Sequence, residues 1–351
     1  MSKVKNIFFL SFILFIVSCS TNVNINAPWK DITIVYGLLN QEDTIHFIKV
    51  NKAFLGNQSA YEMAQIPDSI NYKEVKVTLK KVNVSNNNVV QVFNFRDTIV
   101  DKLDGIFATD NNKVYYYEGK ILNDNENEDD LRYDLEIYIY DRNKTVTAST
   151  KLLNKVKIIN PPYTDYVNIN FAAASPYTVT WETSKGARLF QLKMKFHYYE
   201  INNNDTIEKT IDMHFSQKTS INSLGGQELS NKISWEDFKN MLLLNIEENP
   251  NVTRVVKKEA LDFFVYSGSE EMYKYMQISS PTNSLVQDRP FYTNINNGVG
   301  LFTSRTVTER IGKKIDRRTI DKITQDSETM RLNFLDYEAS TYFWSNLKNK
   351  E

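Results

Sequence analysis

The chain is 351 residues long, with 42 Lys plus Arg against 43 Asp plus Glu and a formal charge of −1. That balance gives no electrostatic footprint for nucleic acid or anionic lipid. A single cysteine, Cys19, excludes disulfide staples and thiolate metal sites from everything after it. Stability must therefore come from buried apolar area, and a 41% hydrophobic fraction with 20 Tyr and 20 Phe supplies enough for two domains.

In chain order, Lys3 and Lys5 precede an apolar run from Ile7 to Val17 broken only by Ser11. About eleven residues are too few to cross roughly 30 Å of hydrocarbon as a helix, but suit the core of a secretory signal. The run ends Ile16-Val17-Ser18-Cys19, which resembles the lipobox of bacterial lipoproteins. The resemblance implies cleavage after residue 18, acylation of the Cys19 thiol and acylation of the new N-terminus. The alternative is an ordinary signal peptide with a stray cysteine, which would leave a reactive thiol on an exported protein. Several acyl chains give durable anchoring, since each buried CH2 contributes about 0.8 kcal/mol. Residues 19–28 then form a polar tether, and the mature chain carries 40 basic against 43 acidic residues. Ser20 in place of Asp implies, by the same resemblance, that the protein is not retained in an inner membrane. No acidic cluster follows the cysteine, so the periplasmic face of an outer membrane is expected rather than the cell surface.

Beyond the tether, period-2 alternation dominates. In 131–140 (LRYDLEIYIY) Leu131, Tyr133, Leu135, Ile137 and Ile139 share one face. Val75, Val77 and Leu79 alternate with Lys76, Thr78 and Lys80, and further strands are expected at 32–38, 44–51, 89–95, 113–120 and 145–152. Asn- and Asp-rich turns separate them. Asn160-Pro161-Pro162 restricts the backbone and removes two amide donors, marking a joint between a first domain at 29–160 and a second at 161–312. In the second, Trp181 lies in a strand at 177–183, and Phe190, Leu192, Met194, Phe196 and Tyr198 point inward from the next, which turns at 202–205 into 207–215. Helices are expected near 234–248, capped by Ser234, and near 269–279, with Ser267 and Glu270 as a capping box. At 291–303 a turn and strand carry Gly298 and Gly300, expected at a bulge or a close backbone approach. The tail 313–351 holds a short helix after Asp316 and an apolar end able to dock. The expected fold is mainly all-β: two antiparallel β-sandwiches of immunoglobulin or fibronectin-III type, the second with short helical insertions.

The lipobox, the Tyr36-Gly37-Leu38-Leu39 strand, the following Asp43-Thr44-Ile45-His46-Phe47-Ile48-Lys49-Val50 and the late NNGVGLF (296–302) together resemble a family of uncharacterised Bacteroidota outer-membrane lipoproteins. The resemblance implies a location and a fold, and carries no catalytic residue.

A search for chemistry finds little. His197 and His214 are expected outward on adjacent strands, offset by about three residues or roughly 10 Å, too far to share a metal. His46 reads as a partly buried packing residue. HExxH, GxSxG, SxxK, P-loop and GxGxxG motifs are all missing from the sequence, so no catalytic, cofactor-binding or metal residue is assigned and no cofactor is implied. The acidic run 123–130 offers oxygen ligands suited to Ca²⁺, but it lacks the glycine and the twelfth-position Glu of a Ca²⁺ loop and reads as a solvated turn. Trp29, Trp181, Trp235 and Trp344 are scattered rather than gathered into a glycan platform, and part of the Tyr115-Tyr116-Tyr117 triplet is expected to be exposed. The sequence therefore points to a lipid-anchored, non-enzymatic envelope protein that binds or supports another component. Its rivals are a lipid-anchored hydrolase of glycan or peptide, and a ligand-capturing accessory of a nutrient-uptake barrel. The helix at 234–249 is expected either to meet an outer-membrane β-barrel or to cover the end of its own sandwich.

Overall fold

A computed structural model describes residues 32–53, 60–101, 112–123, 131–164, 167–202, 205–279 and 291–347. Cys19, Trp29 and the acidic run from residue 124 to 130 lie outside the described residues. The structure is mainly β. Its strands are β1 (Thr33–Leu39), β2 (Ile45–Lys52), β3 (Val75–Asn83), β4 (Val89–Ile99), β5 (Lys113–Glu118), β6 (Leu131–Ile139), β7 (Lys144–Thr150), β8 (Lys157–Asn160), β9 (Tyr177–Glu182), β10 (Ala187–Asn202), β11 (Asp205–His214), β12 (Lys218–Thr219), β13 (Glu228–Ile233), β14 (Thr253–Ser269), β15 (Ile295–Asn296) and β16 (Gly298–Lys313).

Side-chain alternation builds these strands as the sequence predicts. Every second residue of β6 is buried, Leu131 through Ile139, and β10 buries Phe190, Leu192, Met194, Phe196 and Tyr198 on one face. One 13-stranded sheet runs in the order β11-β10-β14-β16-β1-β2-β5-β4-β3-β6-β7-β15, with β12 beside β10, and a separate three-stranded sheet runs β13-β9-β8. The expectation of purely antiparallel sheets is corrected at one join: β1 and β16 pair in parallel, from Thr33↔Gly298 to Leu39↔Ser304. Strands so far apart in sequence need no hairpin between them, so the chain is free to bring them together in either direction.

β16 is the strand that unites the molecule. Its first part lies along β1, while the part from Arg305 to Lys313 pairs antiparallel with β14. Two hydrophobic cores follow from this arrangement. The first gathers Val35, Ile48, Leu79, Phe93, Tyr133 and Val146, and the chain returns to it late with Ile295 and Phe302. The second gathers Trp181, Phe196, Phe238, Phe263, Ile320 and Phe334. The chain crosses from one core to the other between Leu152 and Leu153. A reading of two consecutive units contains no such return, because it sees only neighbours in sequence. Gly298 and Gly300 do mark a close backbone approach: a Cβ on Gly298 would lie 2.7 Å from the Thr33 carbonyl oxygen, and Gly300, at φ +123°, would drive one into the Val35 carbonyl.

The segment around Asn160-Pro161-Pro162 is clasped by β16. Arg310 donates to the carbonyls of Ile158 (2.8 Å) and Pro161 (3.2 Å), and Lys313 to that of Tyr163 (3.1 Å). β14, at 17 residues the longest described strand and the centre of the second half, is not among the strands expected from the sequence. The expected helices form at Trp235–Asn245, with a capping box between Ser234 and Asp237, and at Glu270–Ser279. The cap of the second is Ser269, whose Oγ accepts from Met272 N at 3.2 Å. Ser267 is instead buried inside β14, which runs straight into the helix. In the tail, Asp316 caps the helix Arg317–Gln325. The last helix, Tyr337–Leu347, docks through Trp344, whose indole N–H donates to the Val256 carbonyl at 2.9 Å.

Candidate functional site

The outward side of β16-β1-β2-β5 carries several large exposed apolar side chains. Alternation along β1 and β2 sends Val35, Leu39, Ile48 and Val50 into the first core, and Tyr36, Ile45 and Phe47 outward. These three large side chains are 44%, 45% and 46% exposed. Register lays the face out in rows: Leu301, Tyr36 and Lys49 stand side by side across β16, β1 and β2, while Phe47, Tyr116 and Arg96 do so across β2, β5 and β4. Arg96 rests over the Tyr116 ring at 5.3 Å.

A shallow groove of about 440 Å³ runs along this face, floored by Gly37, Leu38 and Leu301. The helix Glu270–Ser279 walls it with Met272 and Tyr275. Tyr275 meets Tyr36 edge-on at 6.2 Å between ring centres, and their phenol oxygens hydrogen-bond at 3.1 Å. Burial first, then this bond, pushes the Tyr36 phenol up to about 12, so that group stays neutral at physiological pH. The rim is charged. Asp43 faces Arg305 at 3.8 Å, and Lys49 donates to Asn112 Oδ1 (2.6 Å) and the Lys113 carbonyl (2.8 Å). An apolar floor bordered by Tyr36, Ile45 and Phe47 suits an apolar or aromatic contact.

The residues singled out in the sequence are not brought together here. His197 lies outward on β10, and His214 stands opposite Lys193, four residues from His197 along the ladder. His197 is committed to neighbours: Nδ1 lies 2.9 Å from Thr210 Oγ1, and Nε2 lies 2.8 Å from Asp262 Oδ2. Burial raises the Asp262 carboxyl, but His197, the Gly312 amide and Lys195 together hold it below the usual carboxylate range. Among the described residues no cluster of His, Cys, Asp and Glu could hold a metal ion. His46 is buried, more deeply than expected, at 1% exposure. In the tyrosine triplet Tyr115 is buried and Tyr116 lies on the groove side. Trp181 is fully buried in the second core and Trp235 nearly so, which removes both from any platform.

The helix Trp235–Asn245 buries Trp235, Phe238, Met241 and Leu242 in the second core, and its Lys239 is held by Glu236 (2.9 Å) and Glu328 (2.6 Å). Of the two roles expected of it, covering its own half is the one its packing serves. Alternation along single strands does not single out this face. Its signal was available: β2 is apolar on both sides, with Ile45 and Phe47 on one and Ile48 and Val50 on the other. No protein-family model matches the chain, and no curated protein matches it.

Proposed function

We propose that this protein is a lipid-anchored, non-enzymatic component of a bacterial cell envelope that binds another envelope component through the outward face of β16-β1-β2-β5. The anchor is Cys19, and the membrane is the outer one, with the body on its periplasmic side. On this reading the two cores belong to two β-sandwich units of immunoglobulin or fibronectin-III type, and the chain is one of the Bacteroidota lipoproteins it resembles. The partner is most naturally a β-barrel of the same membrane, because a protein confined to the membrane plane gains effective concentration for weak lateral contacts.

The observation that carries the reading is the exposure of Tyr36, Ile45 and Phe47 around one groove of the sheet. A soluble surface gains nothing from a contiguous apolar patch, whereas a binding surface does. Carboxylates elsewhere on the described surface fit charge ladders: Glu136 meets Lys80 at 2.8 Å, and Glu200 meets Arg254 at 2.9 Å. The test has two arms. Cys19→Ala should abolish fatty-acid labelling and release the protein from membranes; equal labelling of both forms defeats the anchor. A photoreactive residue at Lys49 should crosslink one discrete species in intact envelopes, and the double change Ile45→Asp with Phe47→Asp should abolish that product while the protein stays folded. A product that persists in the double variant defeats the binding face.

A further inference from the structure

The binding face has a titratable group directly behind it. Because β2 alternates, the residue between outward Ile45 and outward Phe47 points into the first core, and that residue is His46. It is 1% exposed, and among the described residues neither Nδ1 nor Nε2 has a hydrogen-bond partner. Tyr117 stands opposite it on β5. The start of β2 is held by its ladder to β5, from Ile45↔Glu118 to Ile48↔Tyr115, and by Gly119 N donating to the Thr44 carbonyl at 2.8 Å, and the preceding turn is tied down where Gln41 Oε1 accepts from Asn123 N at 3.1 Å.

A neutral imidazole survives in such a place; an imidazolium without partners does not. The groups able to answer its charge are few. Asp43, in the turn before β2, draws a proton toward the ring, as do the main chains of Asp43 and Gly119, although neither main chain makes a bond of ordinary geometry; burial outweighs all three and holds the ring below its usual range. On β5, Tyr117 shares the inward side while Glu118 belongs to the outward row with Ile45. On β3, the buried Lys81 donates to the Leu122 carbonyl at 2.8 Å and supplies no counter-charge to the ring. The remaining described histidines differ: His197 is partnered at both nitrogens and His214 is exposed.

We propose that His46 makes the binding face acid-sensitive: on taking up a proton the buried ring breaks the start of β2 away from β5, and the pair Ile45–Phe47 loses the fixed geometry a partner would meet. This rests on the reading of that face as a binding surface. The ligand regulating it is the proton, and mildly acidic surroundings would release the partner.

The test is hydrogen exchange on the full chain at pH 7.5 and 5.5, corrected for the intrinsic pH dependence of exchange. Protection of peptides covering 44–49 and 115–119 should fall at the lower pH, by up to about tenfold, since opening is linked to binding one proton. Peptides from β14 should not change, and His46→Phe should keep its protection at both values. Unchanged protection in the wild type, or an equal fall in His46→Phe, overturns the proposal. Should His46→Phe fail to fold, NMR titration of the wild-type ring decides. A midpoint below that of an ordinary imidazole, with the Ile45 and Phe47 amides following the same curve, supports the device, and a ring that titrates normally, or amides that do not follow, overturns it. Exchange involves no partner, so its failure leaves the binding reading standing; loss of the crosslink from Lys49 at neutral pH would overturn the binding reading alone.

Discussion

The two halves of the large sheet finish their outward sides differently. Over β10, β11 and β14 the surface is laddered with charge: Lys193 meets Asp212 at 3.0 Å, His197 meets Asp262 at 2.8 Å, and Lys257 meets Glu208 at 2.6 Å. Over β1 and β2 the same pleat presents Tyr36, Ile45 and Phe47 instead. Both surfaces belong to one continuous sheet, joined through β16. What differs is the residue placed at each outward position. Cross-strand ion pairs satisfy one another in water and close a surface off, while an apolar row stays available for a partner.

The largest expected effects lie beneath the laddered half. Trp181 is fully buried in the second core, so Trp181→Ala should lower stability by about 3–5 kcal/mol. Its indole N–H has no hydrogen-bond partner among the described residues, so Trp181→Phe should lose packing only and cost clearly less. Denaturant unfolding reads both, and equal midpoints for wild type and Trp181→Ala would place that ring outside the core. Next in size is the strand common to both halves. Gly300→Ala puts a side chain at φ +123° against the Val35 carbonyl, which should cost about 1–3 kcal/mol in backbone strain. Exchange protection should fall along β1 and the first part of β16, and much less at β14. A uniform loss would mean that the halves melt as one.

pH separates the halves further. The fold prefers His46 neutral, so that residue supports the apolar half above its ordinary value of 6.5 and works against it as pH falls below. The fold prefers Asp262 ionised, so its contribution to the laddered half is present above 3.8 and is lost only as pH falls below that. Acid titration followed by exchange should therefore loosen β2 first and β14 last; the opposite order would contradict the contrast. The smallest stability effects belong to the surfaces themselves. His197→Ala should cost about 0.2–1 kcal/mol, as a partly exposed pair does, and Phe47→Asp should change stability by no more than about 0.5 kcal/mol.

Much of the fold is legible in the sequence because alternation is strict where one side of a strand is buried and the other wet, as in β6 and β10. β14 escapes such reading because Lys257, Lys258 and Glu259 interrupt its apolar positions, and its ladder with β10 slips between Phe196 and Tyr198. A strand that bulges breaks its own period. The double membership of β16 is invisible for another reason: its partner β1 lies at the far end of the described chain, and nothing local records the pairing. The candidate site failed to stand out because β2 is apolar on both sides. Ile45 and Phe47 compete with Ile48 and Val50 for the interior, and only the strands packed opposite decide which pair wins.

The most direct test of the central claim sets the two outward surfaces against each other. A photoreactive residue would be placed at Phe47 in one form and at Lys195, on the laddered half, in another, and both would be activated in intact envelopes at neutral pH. A discrete protein adduct from position 47 and none from position 195 is the predicted result. Equal yields from the two positions, or an adduct from 195 alone, would contradict the assignment of the β1-β2 face as the binding surface.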